Sequence, residues 1–210
     1  MPQPSVGRLS IRRKAGSTHE SWRGELAPGE TPASRWRQAP DYSSTSPSRR
    51  GPTEFELTKL RARFQKWAFN LFPAFRGTGG WITHIAPDHS EVRVRVPLSW
   101  RTRNYVGTIF GGSMYGAVDP IYMLMLIRRL GPNYTVWDKG ATVRFRRPGR
   151  TTLFAHFVVD DDEIRRIKTL LAHQEKIDRT YRIDLVDREG EVHATVEKVI
   201  RIRSKPASGS

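Results

Sequence analysis

In the stretch "NYVGTIFGGSMYGAVDPIYMLMLIRRL", Asn104 to Leu130, one aspartate stands inside a run that is otherwise mostly apolar. An ionised carboxylate in such surroundings is costly unless it is paired or hydrogen-bonded. Burial raises a carboxylate's pKa and strengthens it as a base, so Asp119 is a candidate general base or nucleophile. The structural alternative is an aspartate that bonds a nearby serine or backbone amide. Pro120 follows directly and has no N–H, so the carbonyl of Gly116 loses its helical partner and a helix through this run should bend there.

The second element is the glycine pair Gly111-Gly112, with Thr108 as a candidate N-cap. At a helix start the amides are unpaired and the dipole favours negative charge. Glycine lets a substrate carbonyl approach the backbone closely, which is how an oxyanion site is made. Close packing of the helix on a sheet would use the same glycines. Taken together, an amide-rich helix start and a carboxylate further along the same helix suggest thioester hydrolysis. The amides would polarise the carbonyl, and the carboxylate would activate water or attack.

Other chemistries lack their residues. The 210-residue chain has no cysteine, hence no disulfide, thiolate metal site or cysteine nucleophile. "GGSMYG" misses the G-x-S-x-G elbow by one residue, and no phosphate loop or dinucleotide fingerprint is present. The six histidines show no ligand spacing. No metal and no cofactor are expected.

The elements that must position these residues follow from periodicity. Residues 1–52 are rich in Ser, Pro, Arg and Gly, and are expected to form a disordered basic extension. A Thr53–Glu56 capping box opens an amphipathic helix with Leu57, Leu60, Phe64, Trp67 and Leu71 on one stripe, ended by Pro73. "GWITHIA" and "EVRVRVPL" read as strands, the second with Val92, Val94 and Val96 on one face. From the N-cap candidate Thr108, with Gly111-Gly112 in the first turn, the run is apolar on nearly all sides to Leu130 and reads as a buried helix stopped by Gly131-Pro132.

Four more strands follow. "KGATVRFRRPG" is expected to turn Ala141, Val143 and Phe145 inward, and "TTLFAHFVVD" is another strand. A short helix over 162–175 carries Ile164, Ile167 and Leu171 on one stripe. "RTYRIDLVD" and "EVHATVEKVIRIR" form a hairpin around Arg188-Glu189-Gly190. An antiparallel sheet of about six strands wrapped around one long central helix is an α+β hotdog fold, placed at 53–203, with 204–210 as a flexible tail.

The net charge of +15 fits an acidic partner or a solvated basic surface. Arg144, Arg146, Arg147 and Arg150 cluster near one strand end, where they suit phosphate recognition or keep an edge strand soluble. Without an aromatic-basic interleaved motif, nucleic acid ranks last among partners, and an anionic membrane surface ranks with it. Residues 1–20 lack an apolar h-region and no apolar run is long and clean enough to span a bilayer, so a cytoplasmic protein is expected.

The pattern N-x5-F-G-G-x6-D, made by Asn104, Phe110, Gly111, Gly112 and Asp119, resembles the motif of hotdog-fold acyl-CoA thioesterases of the phenylacetate-degradation type. The wider stretch "GTIFGGSMYGAVDPIYMLML…VWDKGATVRFRRPG" is similar to a hotdog family of unassigned function. The resemblance implies a homodimer or homotetramer with sites at a subunit interface. It implies that Gly112 or Gly111 binds the thioester oxygen, that Asp119 of the opposite subunit is base or nucleophile, and that Asn104 places substrate or water. Gly111, Phe110, Ser113, Asp138 and Arg146 are the further residues expected to contact an acyl-CoA substrate, coenzyme A being part of that substrate. The family's histidine is Phe110 here, which can neither donate nor accept a hydrogen bond as histidine does. Where those enzymes often carry Ser or Thr on the following strand, this chain has Trp137, Asp138 and Lys139. Asp138 would supply a second carboxylate or pair with Lys139. A non-catalytic acyl- or lipid-binding hotdog protein is the alternative.

Overall fold

Period-two alternation decides the sheet. Val92, Val94 and Val96 are all buried on β3 (Glu91–Val96), while Arg95 between them is exposed. In the computed structural model, which describes residues 21–22 and 54–205, the strands are β1 (Ser21–Trp22), β2 (Trp81–Ile85), β3, β4 (Tyr134–Phe145), β5 (Leu153–Val158), β6 (Lys176–Val186) and β7 (Val192–Ser204). The sheet order is β2-β3-β5-β6-β7-β4, and every neighbouring pair on this path is antiparallel. The hairpin of β6 and β7 is paired from Lys176–Arg203 to Val186–Val192, with Gly190 at positive φ in its turn. β1 adds in parallel to β6 at Thr180 and Tyr181. Apart from Ser21–Trp22, the extension expected over residues 1–52 lies outside the described residues.

Against one face of the sheet lies the central helix. It is broken, as the proline demands, into α3 (Gly111–Val118) and α4 (Ile121–Leu130). Ala117, Val118, Tyr122 and Leu126 are buried against strand residues such as Val94, Phe157, Ile183 and Ile200 in a single hydrophobic core. The Tyr122 ring stacks on Tyr181 at 4.8 Å and meets Phe157 edge-on at 5.0 Å. Gly131, at φ 87°, ends α4.

Two further helices flank this body. α1 (Glu54–Leu71) leads into the short α2 (Pro73–Gly77). Asn70 pins α1 to the sheet edge as a strand would. Its amide donates to the Ile82 carbonyl at 2.9 Å and its Oδ1 accepts from the Ile82 N–H at 2.7 Å. The apolar stripe of this helix is turned outward: Leu60, Phe64 and Trp67 are exposed, and the inward positions are Ala62, Phe69 and Asn70. α5 (Asp161–His173) is capped by the Asp160 side chain accepting from the Glu163 N–H at 2.7 Å. It buries Ile164, Ile167 and Leu171. Beneath it, Glu163 accepts from Arg179 and from the Tyr181 hydroxyl, a buried ionic cluster.

On β4, Ala141, Val143 and Phe145 pair with Lys198, Val196 and Ala194 of β7 and so share the inner face, as their alternation predicts. A register shift between Asp138 and Gly140 interrupts the strand ahead of them, and β4 is the last strand of the sheet. At this edge the inner face is only partly covered: Ala141 and Phe145 are exposed, and Val143 is only half-buried. No helix among the described residues is long and apolar enough to cross a membrane.

Candidate active site

The site grows from one lysine on β7. Inward positions of that strand are Ala194, Val196, Lys198, Ile200 and Ile202, and Lys198 is only 1% exposed. A buried ammonium must find anionic partners. Lys198 Nζ lies 2.5 Å from Asp119 Oδ1 and 3.1 Å from Asp138 Oδ2, and sits 5.8 Å from the centre of the Tyr115 ring. Burial works to lower the Lys198 pKa, but its bonds to the two carboxylates outweigh that and hold it raised. Asp138 is raised, chiefly because burial disfavours its charge, with Lys198 offsetting only part. Its Oδ1 is buried without a hydrogen-bond partner. Tyr115 is raised by burial and then by its hydrogen bond with Asp119.

Asp119 itself closes α3, its N–H donating to the Tyr115 carbonyl at 2.9 Å. It is not sealed in the core: its side chain is 37% exposed. The carboxylate therefore faces solvent on one side and the Lys198 ammonium on the other. Asp138 pairs with this same lysine, whereas Lys139 points elsewhere and binds Asp178 at 2.7 Å. Of the two roles open to Asp138, the pair with Lys139 does not form, and Asp138 instead brings a second carboxylate to an Asp119–Lys198–Asp138 triad.

At the other end of α3, Phe110 takes an extended conformation and Gly111 and Gly112 begin the helix. Both glycines lie under aromatic rings. A Cβ on Gly111 would meet Phe145 at 2.7 Å, and one on Gly112 would meet Phe110 at 2.3 Å. The packing leaves no room for a side chain at either position without moving a ring. Ser113 is buried and its N–H donates to the Phe110 carbonyl at 3.0 Å.

Asn104 shapes the loop ahead of the helix. Its Oδ1 accepts from the Val106 and Thr108 N–H groups at 3.1 and 3.0 Å, and its amide donates to Thr108 Oγ1 at 3.0 Å. A cleft of about 410 Å³ runs past Asn104, Gly111, Met114, Phe145, Arg146 and Arg147. Arg146 is oriented by Thr195, its Nε donating to Oγ1 at 3.1 Å, and Arg147 pairs with Glu191 at 2.8 Å.

Asn104, Gly111 and Arg146 therefore share one cleft, while Asp119 and Asp138 meet at Lys198. Within one chain the two groups stand apart: seven helical residues separate Gly112 from Asp119 by about 10 Å along the axis. Lys198 was the residue missed in the sequence. Its signal was phase, since a lysine occupies an inward position between Val196 and Ile200.

Six antiparallel strands in this order, curved around a broken central helix, define a hotdog-fold protein. Residues 61–202 match the family model described as "Domain of unknown function (DUF4442)", and the chain belongs to that family. Solved structures share the fold. One is a protein of unknown function from Pseudomonas aeruginosa described as a probable thioesterase, with TM-score 0.60 and 22% identity over 73% of this chain and 98% of that one. Another is a protein of unknown function from Chlorobaculum tepidum, with TM-score 0.55 and 14% identity over 73% and 98%. A third is a putative thioesterase from Shewanella oneidensis, with TM-score 0.52 and 18% identity over 71% and 99%. No curated protein matches the chain.

Proposed function

We propose that the protein hydrolyses an acyl-CoA or related thioester, at a site completed by a second copy of the chain. The observation that carries this reading is the pairing of a helix start at a cleft with a partly exposed, lysine-held carboxylate at the far end of the same helix. The thioester oxygen would take the amide of Gly112 or Gly111, where the dipole of α3 favours developing negative charge. Asp119 would remove a proton from water as it attacks the carbonyl carbon and pass it to the departing thiolate, or attack that carbon itself, expelling the thiolate and leaving a mixed anhydride that water then hydrolyses. Lys198 positions the Asp119 carboxylate, and Asn104 holds the loop that sets the helix start. Arg146 and Arg147 line the cleft at a place suited to the phosphates of a coenzyme.

A second copy is required because the two halves of the machinery are too far apart in one chain. β4 offers the surface. It is a 12-residue edge strand that leaves Trp137 and Phe145 exposed, and Phe110 beside the cleft is exposed too. A long apolar edge of this kind favours strand addition by another chain.

One observation favours a second reading, in which the site binds acyl groups without cleaving them. Phe110 stands where the resembled enzymes carry histidine, and its ring crowds Gly112, lying 2.3 Å from where a Cβ there would stand. A panel of short, long and aromatic acyl-CoAs separates the two, with free thiol as readout. Thiol release from any of them supports hydrolysis; saturable binding of acyl-CoA with no thiol release favours the second reading.

A further inference from the structure

A second cavity, of about 440 Å³, lies between α1, α4 and the outer strands β2 and β3. It shares no lining residue with the cleft at Gly111. Its walls are hydrocarbon: Phe69 and Phe72 come from α1 and its end, Ile82 and Val92 from the strands, Ile121 and Leu124 from α4. The volume falls in the ~300–1,000 Å³ range of pockets that hold small molecules.

The polar lining is Gln65, His89 and Arg128. These three stand together. His89 Nε2 lies 2.7 Å from Gln65 Oε1, and the Arg128 charge acts on the same imidazole. His89 has φ 59°, the one non-glycine residue with positive φ among those described. Such a backbone persists where its surroundings hold it. Arg129 next door is committed to the Val159 carbonyl and to Asp161. Arg128 makes no ion pair among the described residues; it is an exposed cation at an apolar chamber.

We propose that this chamber is a binding site for a single-chain aliphatic carboxylate, with its tail among Phe69, Ile82, Ile121 and Leu124 and its head group on Arg128. A guanidinium is suited to a carboxylate because it can give it two parallel N–H donors. The apolar walls exclude a ligand that is polar along its length. The site stands on its own residues and does not depend on thioester hydrolysis at the cleft.

Calorimetric titration of the full chain tests it, with dodecanoate as probe and dodecyltrimethylammonium and acetate as controls. Dodecanoate should saturate one site per chain, acetate should not bind, and the cationic amphiphile should bind at least about tenfold more weakly. R128Q, an exposed change that leaves the fold intact, should weaken dodecanoate by about tenfold. L124W should fill the chamber and abolish binding. F64S/W67S, on the outward stripe of α1, should leave binding unchanged. The proposal is overturned if dodecanoate gives no saturable heat or binds R128Q as well as the parent. It is equally overturned if the cationic amphiphile binds as tightly, or if the F64S/W67S change removes binding.

Discussion

Lys198 on β7 and Asp119 at the break of the central helix meet at 2.5 Å, tying the sheet to the helix through an ion pair whose cation is buried and whose anion is not. This asymmetry fixes the carboxylate in one place while leaving it open to a reactant. Asp138 completes the arrangement from the edge strand at 3.1 Å.

Removing the cation should therefore be expensive. In K198M, Asp119 and Asp138 would face each other with no compensating charge, and Asp138 has a buried oxygen already without a partner. The predicted loss is about 3 kcal/mol, at the lower end for broken buried pairs because Asp119 reaches solvent. Urea unfolding measures it. Adding D138N to K198M should recover part of the loss, a coupling that a double-mutant cycle reads directly.

The aromatic cover on the glycines predicts a sign reversal. In the parent chain a methyl at Gly112 runs into the Phe110 ring, so G112A should be neutral or destabilising. In an F110A background the obstacle is gone and only helix propensity remains, so the same substitution should stabilise by about 0.5–1 kcal/mol. Thermal unfolding of the four variants decides the point.

Acid should act first on the sheet. Glu91 is drawn down to about 2 by its hydrogen bond with His156, against burial, and by Arg93 at 2.5 Å. Asp178 is drawn down to about 2 as well, first by Arg201 and then by Lys139. Both folded-state values lie below the unfolded ones. Their contribution is present above the ordinary carboxylate range and is lost as pH falls through it toward about 2. E91Q should thus be less stable than the parent at neutral pH and lose less of its melting temperature on acidification. Melting curves taken across that range test this.

Much of the fold was written in the alternation of apolar residues, since β3, the β6–β7 hairpin and the stripe of α5 follow it residue by residue. The break at Asp119-Pro120 was equally legible, because a missing N–H has the same consequence in any helix. Two features were not. The stripe Leu60, Phe64 and Trp67 has the right spacing for a helix face, but spacing alone does not say whether that face meets the core or the outside. In β4 the alternation of "KGATVRF" does set Ala141, Val143 and Phe145 on the inner face, but it does not tell that the strand ends the sheet, where that face is left largely exposed. At the site, Asp119 and the glycines could be found by type and spacing. The bridge between Asp119 and Asp138 could not, as Lys198 is 79 residues from one of them.

The buried cluster under α5 supplies a contrast with the site. Glu163 accepts from Arg179 at 3.0 and 2.8 Å and from Tyr181 at 2.7 Å. E163Q keeps the shape but strands the Arg179 charge, and should cost about 3–5 kcal/mol in urea unfolding.

The most direct test of the central claim is the rate of thiol release from acyl-CoA by D119N beside the parent protein, with circular dichroism to confirm that both are folded. Asparagine keeps the shape of the side chain but can neither take a proton from water nor attack a carbonyl. The predicted result is a fall of at least about a hundredfold, the lower bound for loss of a general base. Undiminished release by folded D119N would contradict the account.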